Sequence, residues 1–236
     1  MSSEKNLKDR KRKKGGPINA LNDFIKITAA IPVGLWMRTK KYYPFGKEKL
    51  KGGVLISANH RSMLDPVILL STFPFRRLHS LATKELFKSR FSEFLFKRGF
   101  LCVPVDKDNF SMDTFRQVVE RLSDGKAVFI FPEGRLNNDD DKPLLSFKSG
   151  AILMAYRSGA PILPVYIVKR KRLIERQRVV IGKPVDIKAI VGPSPTMTEM
   201  NKASEYLRER ELELREYYEN NILKKRKEEK ISAEKG

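Results

Sequence analysis

Short apolar runs and helical patterns take turns along this chain, and that alternation leaves few folds open. From Gly53 onward, six runs read as β-strands, near Val54 to Ala58, Leu78 to Ala82, Phe100 to Val105, Ala127 to Phe131, Pro161 to Val168 and Val179 to Ile181. Between them, apolar residues recurring every three or four positions predict helices near Pro66 to Thr72, Lys84 to Arg98, Met112 to Leu122 and Lys148 to Arg157. Strands that are apolar on both faces need helices above and below them. The expected fold is therefore α/β, a single domain whose mixed, mostly parallel sheet is covered by helices. Gly99, Gly125 and Gly159 stand where those helices should stop. With 236 residues the chain has room for one core rather than two, and a hydrophobic content of 41% is enough to fill it.

The two ends depart from this pattern. Residues 1–16 carry seven Lys or Arg side chains and end in Gly15-Gly16, which predicts a disordered basic arm. Residues 17–45 are expected to form amphipathic, membrane-anchoring helices. Ile18, Leu21, Ile25 and Ile31 recur at helical spacing, Pro32 ends or kinks the helix, and Trp36, Tyr42 and Tyr43 beside Arg38, Lys40 and Lys41 suit the water–lipid boundary. The same periodicity also fits a helix packed on the protein's own core. Residues 46–190 hold the α/β domain. Residues 191–236 form a linker and a long, charged C-terminal helix with a thin apolar stripe at Met200, Ala203, Leu207, Leu214 and Tyr217.

Composition narrows the setting. Uncharged runs reach only 11 residues, as in Ile27 to Met37, where a membrane-spanning helix needs about 18. The charge-dense Lys5 to Lys14 does not resemble a secretory signal. The single cysteine, Cys102, cannot form an intramolecular disulfide, which favours a reducing compartment. The expected location is the cytoplasmic side of the cell membrane, held peripherally. Lys and Arg number 48 against 28 Asp and Glu, a net charge of +20 that calls for an anionic partner. A membrane surface and a nucleic acid both fit. The chain lacks zinc-finger spacing and a ribonucleoprotein motif, and its C-terminal Arg residues are interleaved with Glu211, Glu213 and Glu216, so no nucleic acid is expected.

Two loops carry chemistry. The first follows the strand ending at Ala58 and reads Asn59-His60-Arg61-Ser62-Met63-Leu64-Asp65-Pro66. Asp65 before Pro66 has the form of a helix start, so a capping role stands beside a chemical one. Residues five apart on a regular helix point roughly 140° from each other, so His60 and Asp65 meet only if the loop curls back toward the helix. If they meet, the carboxylate sets the imidazole tautomer and leaves the second ring nitrogen free to take a proton from a hydroxyl. Ser62 as a nucleophile is disfavoured by the missing Gly-x-Ser-x-Gly elbow. One Cys and two His leave no ordinary zinc site. The second loop, Pro132-Glu133-Gly134-Arg135-Leu136, combines a glycine that admits a ligand to the backbone with a guanidinium able to fork onto a phosphate. Taken alone, such a loop is more often a solvated salt bridge.

Together, Asn59-His60-x-Ser62-x-x-Asp65 and Phe131-Pro132-Glu133-Gly134-Arg135 resemble the glycerolipid acyltransferase family typified by bacterial lysophosphatidic acid acyltransferases. Lys84-Glu85-Leu86-Phe87 leading to Gly99-Phe100 and Val105-Asp106-Lys107 is similar to that family's second block, and Ala160-Pro161-Ile162-Leu163-Pro164-Val165 to its fourth. The resemblance covers roughly residues 17 to 185. It implies transfer of a fatty acyl group from acyl-CoA or acyl carrier protein to a lysophospholipid hydroxyl, lysophosphatidate to phosphatidate, with no bound cofactor. It assigns His60 as general base and Asp65 as its orienting partner, and Glu133, Gly134 and Arg135 as acceptor-binding residues. A second-block lysine assists, either Lys84, whose place Thr83 also fits, or Lys107, where many members carry Arg. A catalytically silent lipid-binding relative is compatible with the same motifs.

Overall fold

Val, Ile and Leu runs flanked by turn residues pair into one sheet whose strands are β1 (Lys40–Tyr42), β2 (Val54–Ala58), β3 (Leu78–Thr83), β4 (Cys102–Val105), β5 (Ala127–Ile130), β6 (Ile162–Ile167) and β7 (Arg178–Ile181). The computed structural model describes residues 39–94, 101–105, 111–170 and 175–235, with Phe24, Thr28 and Lys97. The basic arm and Lys107 lie outside the described residues, as does the anchoring segment before Thr39 apart from Phe24 and Thr28. The strand order is β1-β7-β6-β2-β5-β3-β4. Every neighbouring pair is parallel except β6 and β7, which gives the mixed, mostly parallel sheet expected.

The helices are α1 (Asp65–Thr72), α2 (Arg90–Phe94), α3 (Met112–Ser123), α4 (Gly150–Ser158), α5 (Ile187–Val191), α6 (Met197–Tyr217) and α7 (Lys224–Lys235), with a π-turn at Tyr218–Leu223 joining the last two. Alternation along the strands sends side chains to two cores. Leu55, Val128, Ile130, Ile162, Tyr166 and Val180 face Val118, Ile152, Leu207 and Leu214 from α3, α4 and α6. Val54, Ile56, Ala58, Phe129, Leu163 and Val165 face Ile68, Leu69 and Leu70 from α1. Gly159 caps α4 at φ +70°, a left-handed conformation that costs glycine little and other residues more. The long helix α6 opens on a capping box between Thr196 and Glu199, which satisfies donors at both ends of its first turn. No helix of the described residues is long and apolar enough to cross a membrane.

Two sequence expectations need correction. Lys40–Tyr42, placed in the anchoring helices, is an edge strand parallel to β7, with Lys40 opposite Arg178. Three residues carry little pattern of their own, and pairing with β7 decides their conformation. The helix expected over Lys84 to Arg98 is broken into a 3₁₀ turn at Lys84–Phe87 and the short α2, while residues 95, 96 and 98, and the expected stop at Gly99, lie outside the described residues.

The topology collects the loops of interest on one rim. β2, β3, β5 and β6 all end there, placing His60, Lys84 and Glu133 along the carboxyl edge of a parallel sheet, where such folds bind ligands. Because β7 runs against β6 and β1 runs with β7, the amino ends of β1 and β7 lie on this rim too.

Candidate active site

Asn59 is the first residue past β2 and is fully buried. Its side-chain amide accepts from the Ile167 N–H at 2.7 Å and donates to the Ile167 carbonyl at 3.0 Å. This closes the sheet edge between β2 and β6 with a side chain in place of a strand, and the chain turns sharply at His60.

The loop does curl back. His60 Nδ1 lies 3.0 Å from Asp65 Oδ2. The same oxygen accepts the Arg61 N–H at 2.7 Å and the Ser62 N–H at 2.8 Å. Three donors converge on one carboxylate oxygen of a side chain that is only 3% exposed, the arrangement a buried carboxylate needs. Asp65 therefore does not cap α1. It is the helix's first residue, its side chain reaches back into the loop, and Leu64 at the cap position makes no side-chain bond. A carboxylate has only acceptors, so Nδ1 supplies the proton of the His60–Asp65 bond and Nε2 is the ring nitrogen left facing away from Asp65. The imidazole also stacks on Phe131, centroids 3.9 Å apart and planes 11° from parallel. Ring position is thus set by both a hydrogen bond and a face contact. Ser62 Oγ is engaged elsewhere, accepting the Leu64 N–H at 3.1 Å.

The Glu133 loop locks onto the His60 loop. Glu133 Oε1 accepts the His60 N–H at 2.9 Å and Oε2 accepts the Leu145 N–H at 2.8 Å. Burial pushes this carboxyl above its ordinary range, opposed by the two N–H bonds and by the Arg61 charge. The Glu133 carboxylate faces inward, and its two oxygens brace the backbone of two loops, whose N–H groups it supplies with acceptors. Gly134 and Arg135 turn outward and are exposed. Gly134 has φ +70°, and a β-carbon there would stand 2.8 Å from Lys148 Cε and 3.0 Å from its Nζ, so the glycine makes room for the Lys148 side chain. Arg135 has no hydrogen bond or ion pair among the described residues. Lys84 begins the 3₁₀ turn after β3, two strands along the rim from β2.

Sequence reasoning missed four contributors. Asn59 was read only as part of a motif. Arg61 donates to the Asp139 and Lys142 carbonyls at 3.1 Å and pairs with Asp140 at 2.7 Å, clasping the polar stretch after Arg135 over the His60 loop. Asn137 N–H donates to the His60 carbonyl at 2.7 Å, and Lys148 lies over Gly134. The polar run Asn137 to Asp141 was the available signal, but nothing in it names its partner. Cys102 is buried, its Sγ 3.0 Å from Ser80 Oγ, and burial pushes the thiol up to about 11, so it is an unreactive core residue.

Comparison with known proteins adds to this geometry. Residues 39–168 match the sequence model of the family described as Acyltransferase. The 1-acyl-sn-glycerol-3-phosphate acyltransferase of Borreliella burgdorferi is 28% identical over 191 residues, which span 79% of this chain and 73% of that protein. The probable 1-acyl-sn-glycerol-3-phosphate acyltransferase of Mycoplasma pneumoniae is 32% identical over 178 residues, 66% of this chain and 64% of that one. The crystal structure of the 1-acyl-sn-glycerophosphate (LPA) acyltransferase PlsC from Thermotoga maritima superposes with a TM-score of 0.57 at 23% identity, covering 89% of this chain and 82% of that chain, a likeness of fold.

Proposed function

The chain belongs to the Acyltransferase family and is an O-acyltransferase, and from that premise we propose that it moves a fatty acyl group from acyl-CoA or acyl carrier protein to the free hydroxyl of lysophosphatidate, giving phosphatidate. The observation that carries the mechanism is the His60–Asp65 pair at 3.0 Å, with Asp65 Oδ2 held by two further N–H groups. His60 Nε2 takes the hydroxyl proton as the oxygen attacks the thioester carbonyl. The C–O bond forms, the C–S bond breaks, and the imidazolium returns its proton to the departing thiolate. Asp65 holds the ring in the tautomer that can accept and stabilises its charge while the proton is carried.

A phosphorylated acceptor needs cations that are not already paired. Arg135 answers that need, exposed and unpartnered among the described residues, with Lys148 packed beside it on Gly134. Gripping the phosphate there holds the hydroxyl toward His60 and turns an encounter into an oriented complex. Lys84, and Lys107 after β4, are proposed to add charge to the same rim. Glu133 contributes by keeping the His60 backbone in place beside the acceptor site.

The acceptor and the acyl chains are lipids, so the reaction is proposed to occur at an anionic membrane surface on the cytoplasmic side, with residues 17–38 as the anchor. Their chain enters β1 on the catalytic rim. Met63, 73% exposed on the His60 loop, gives that rim an apolar contact as well. The test is an acyl-transfer assay of purified protein with both carriers against a panel of lyso-lipids. Lysophosphatidate should be the preferred acceptor, and His60→Ala should lose about 10²- to 10⁴-fold in turnover. A folded His60→Ala protein that turns over like the unaltered enzyme would remove the base from this account.

A further inference from the structure

At the far edge of the sheet, a cleft of about 400 Å³ is lined by Lys40, Tyr42, Glu175, Arg176, Arg178 and Arg226. Four cations face it and one carboxylate. A second cleft of about 460 Å³, over α6, is instead lined by Lys202 with Glu205 and Glu209, so an excess of positive charge is particular to the first. None of Lys40, Arg176, Arg178 and Arg226 forms an ion pair among the described residues. The floor is built rather than loose. Tyr42 packs edge-on against the buried Tyr218 at 6.0 Å, Lys40 Nζ lies 5.2 Å over the Tyr42 ring, and Gln177 donates to the Val168 and Arg178 carbonyls at 3.0 Å, pinning the start of β7.

We propose that this cleft binds the phosphoryl group of an anionic phospholipid headgroup and thereby seats the catalytic rim on the bilayer. Guanidinium groups converging from β7 and α7, with an ammonium from β1, form a fork suited to a phosphodiester. The cleft opens at the amino ends of β1 and β7, the rim that carries His60, three strands and so about 14 Å along the sheet edge. Residues 17–38, the expected anchor, directly precede Thr39 and β1 in the chain, so anchor and cleft are neighbours in sequence. Lys224 and Lys225 extend the exposed positive surface from the first turn of α7. A headgroup held there leaves the His60 end of the rim free to receive a different lipid as substrate. The inference rests on the membrane-surface reading above and assigns it a specific site.

The experiment uses the full chain and two charge-matched variants, Arg176→Gln/Arg226→Gln in the cleft and Lys183→Gln/Lys202→Gln, neither of which lines it. Binding to phosphatidylcholine vesicles with and without phosphatidylglycerol is measured by co-sedimentation, with circular dichroism to confirm folding. The cleft variant should bind phosphatidylglycerol vesicles about 10- to 30-fold more weakly than the unaltered protein, against a change of about twofold or less for the other pair. Equal weakening by both pairs overturns the cleft and leaves only diffuse attraction. Saturable binding of inorganic phosphate that the cleft variant loses, with vesicle binding unchanged, assigns the cleft to a soluble phosphoryl ligand and overturns the headgroup. Absence of vesicle binding by the unaltered protein overturns both the membrane reading and the cleft. Acyl transfer to detergent-dispersed lysophosphatidate, assayed in parallel, fails only if the proposed reaction is wrong.

Discussion

Two loops stand side by side on the rim of this sheet and use their polar groups in opposite ways. In the loop from Asn59 to Asp65 the acidic, amide and imidazole groups are engaged inside the protein, and Asp65 alone takes three donors on one oxygen. In the loop from Glu133 to Arg135 only Glu133 is engaged, while Arg135 faces solvent without a partner among the described residues. A base must be oriented before substrate arrives, so its hydrogen bonds are made during folding. A phosphate-binding cation must keep its hydrogen bonds for the ligand. Under the proposed mechanism, the contrast separates groups that would shape the transition state from groups that would hold the ground state.

Substitutions can break this contrast or sharpen it. The largest effect should come from Asp65→Asn, which offers an amide to Nδ1 and disturbs the tautomer. Turnover is expected to fall about 10²-fold with little change in acceptor KM. A rise in KM with kcat intact would place Asp65 on the wrong side of the divide. Glu133→Ala leaves the His60 and Leu145 N–H groups without acceptors and should cost about 1–3 kcal/mol in the denaturant midpoint, with a secondary loss of turnover. Undiminished stability would show that water replaces the carboxylate. Arg135→Ala should raise acceptor KM about tenfold, equivalent to about 1.4 kcal/mol, and leave stability unaltered. An equal drop in kcat at unchanged KM would make Arg135 a transition-state group and collapse the contrast.

The smallest effect tests a carboxyl behind the site. Glu211 of α6 is fully buried, accepts Ser57 Oγ–H at 2.6 Å on Oε1, and has no partner for Oε2 among the described residues. Burial holds its carboxyl well above the ordinary 4.5, opposed by the Ser57 hydroxyl bond, so the proton is kept to higher pH than in an exposed glutamate. A raised folded-state pKa means that its contribution to stability is complete below about 4.5 and declines as pH rises toward the folded value. Glu211→Gln lacks this titration and should lie within about 1 kcal/mol of the unaltered protein in acid, then gain on it as pH increases. Denaturant midpoints measured across that range that keep a constant difference would show that Glu211 is not held neutral.

Much of the molecule can be read along the chain, and the exceptions are instructive. Five of the six expected strands overlap observed ones wholly within the described residues, and the sixth does so at its described end, Cys102–Val105, because buried parallel strands announce themselves as apolar runs. β1 escaped because Lys40, Lys41 and Tyr42 have no such run, and an edge strand needs only one neighbour. The loops bearing His60 and Glu133 were legible as candidate sites from residue type and position after a strand. That Glu133 points inward was not, since its partners lie 73 and 12 residues away. The same holds for Lys148, which meets Gly134 only once α4 folds beside the loop.

Local periodicity and motif order thus determined the layered α/β class, the places where α3 and α4 end, and the two candidate segments for chemistry, because those properties depend on neighbours within a few residues. Tertiary structure decided that Asp65 meets His60 instead of capping α1, that Glu133 braces and Arg135 reaches out, and that Lys40, Arg176, Arg178 and Arg226 gather around one cleft. Each of these turns on the direction of a side chain relative to a distant strand or helix. That direction exists only once hydrogen-bonded register and packing have brought the segments together.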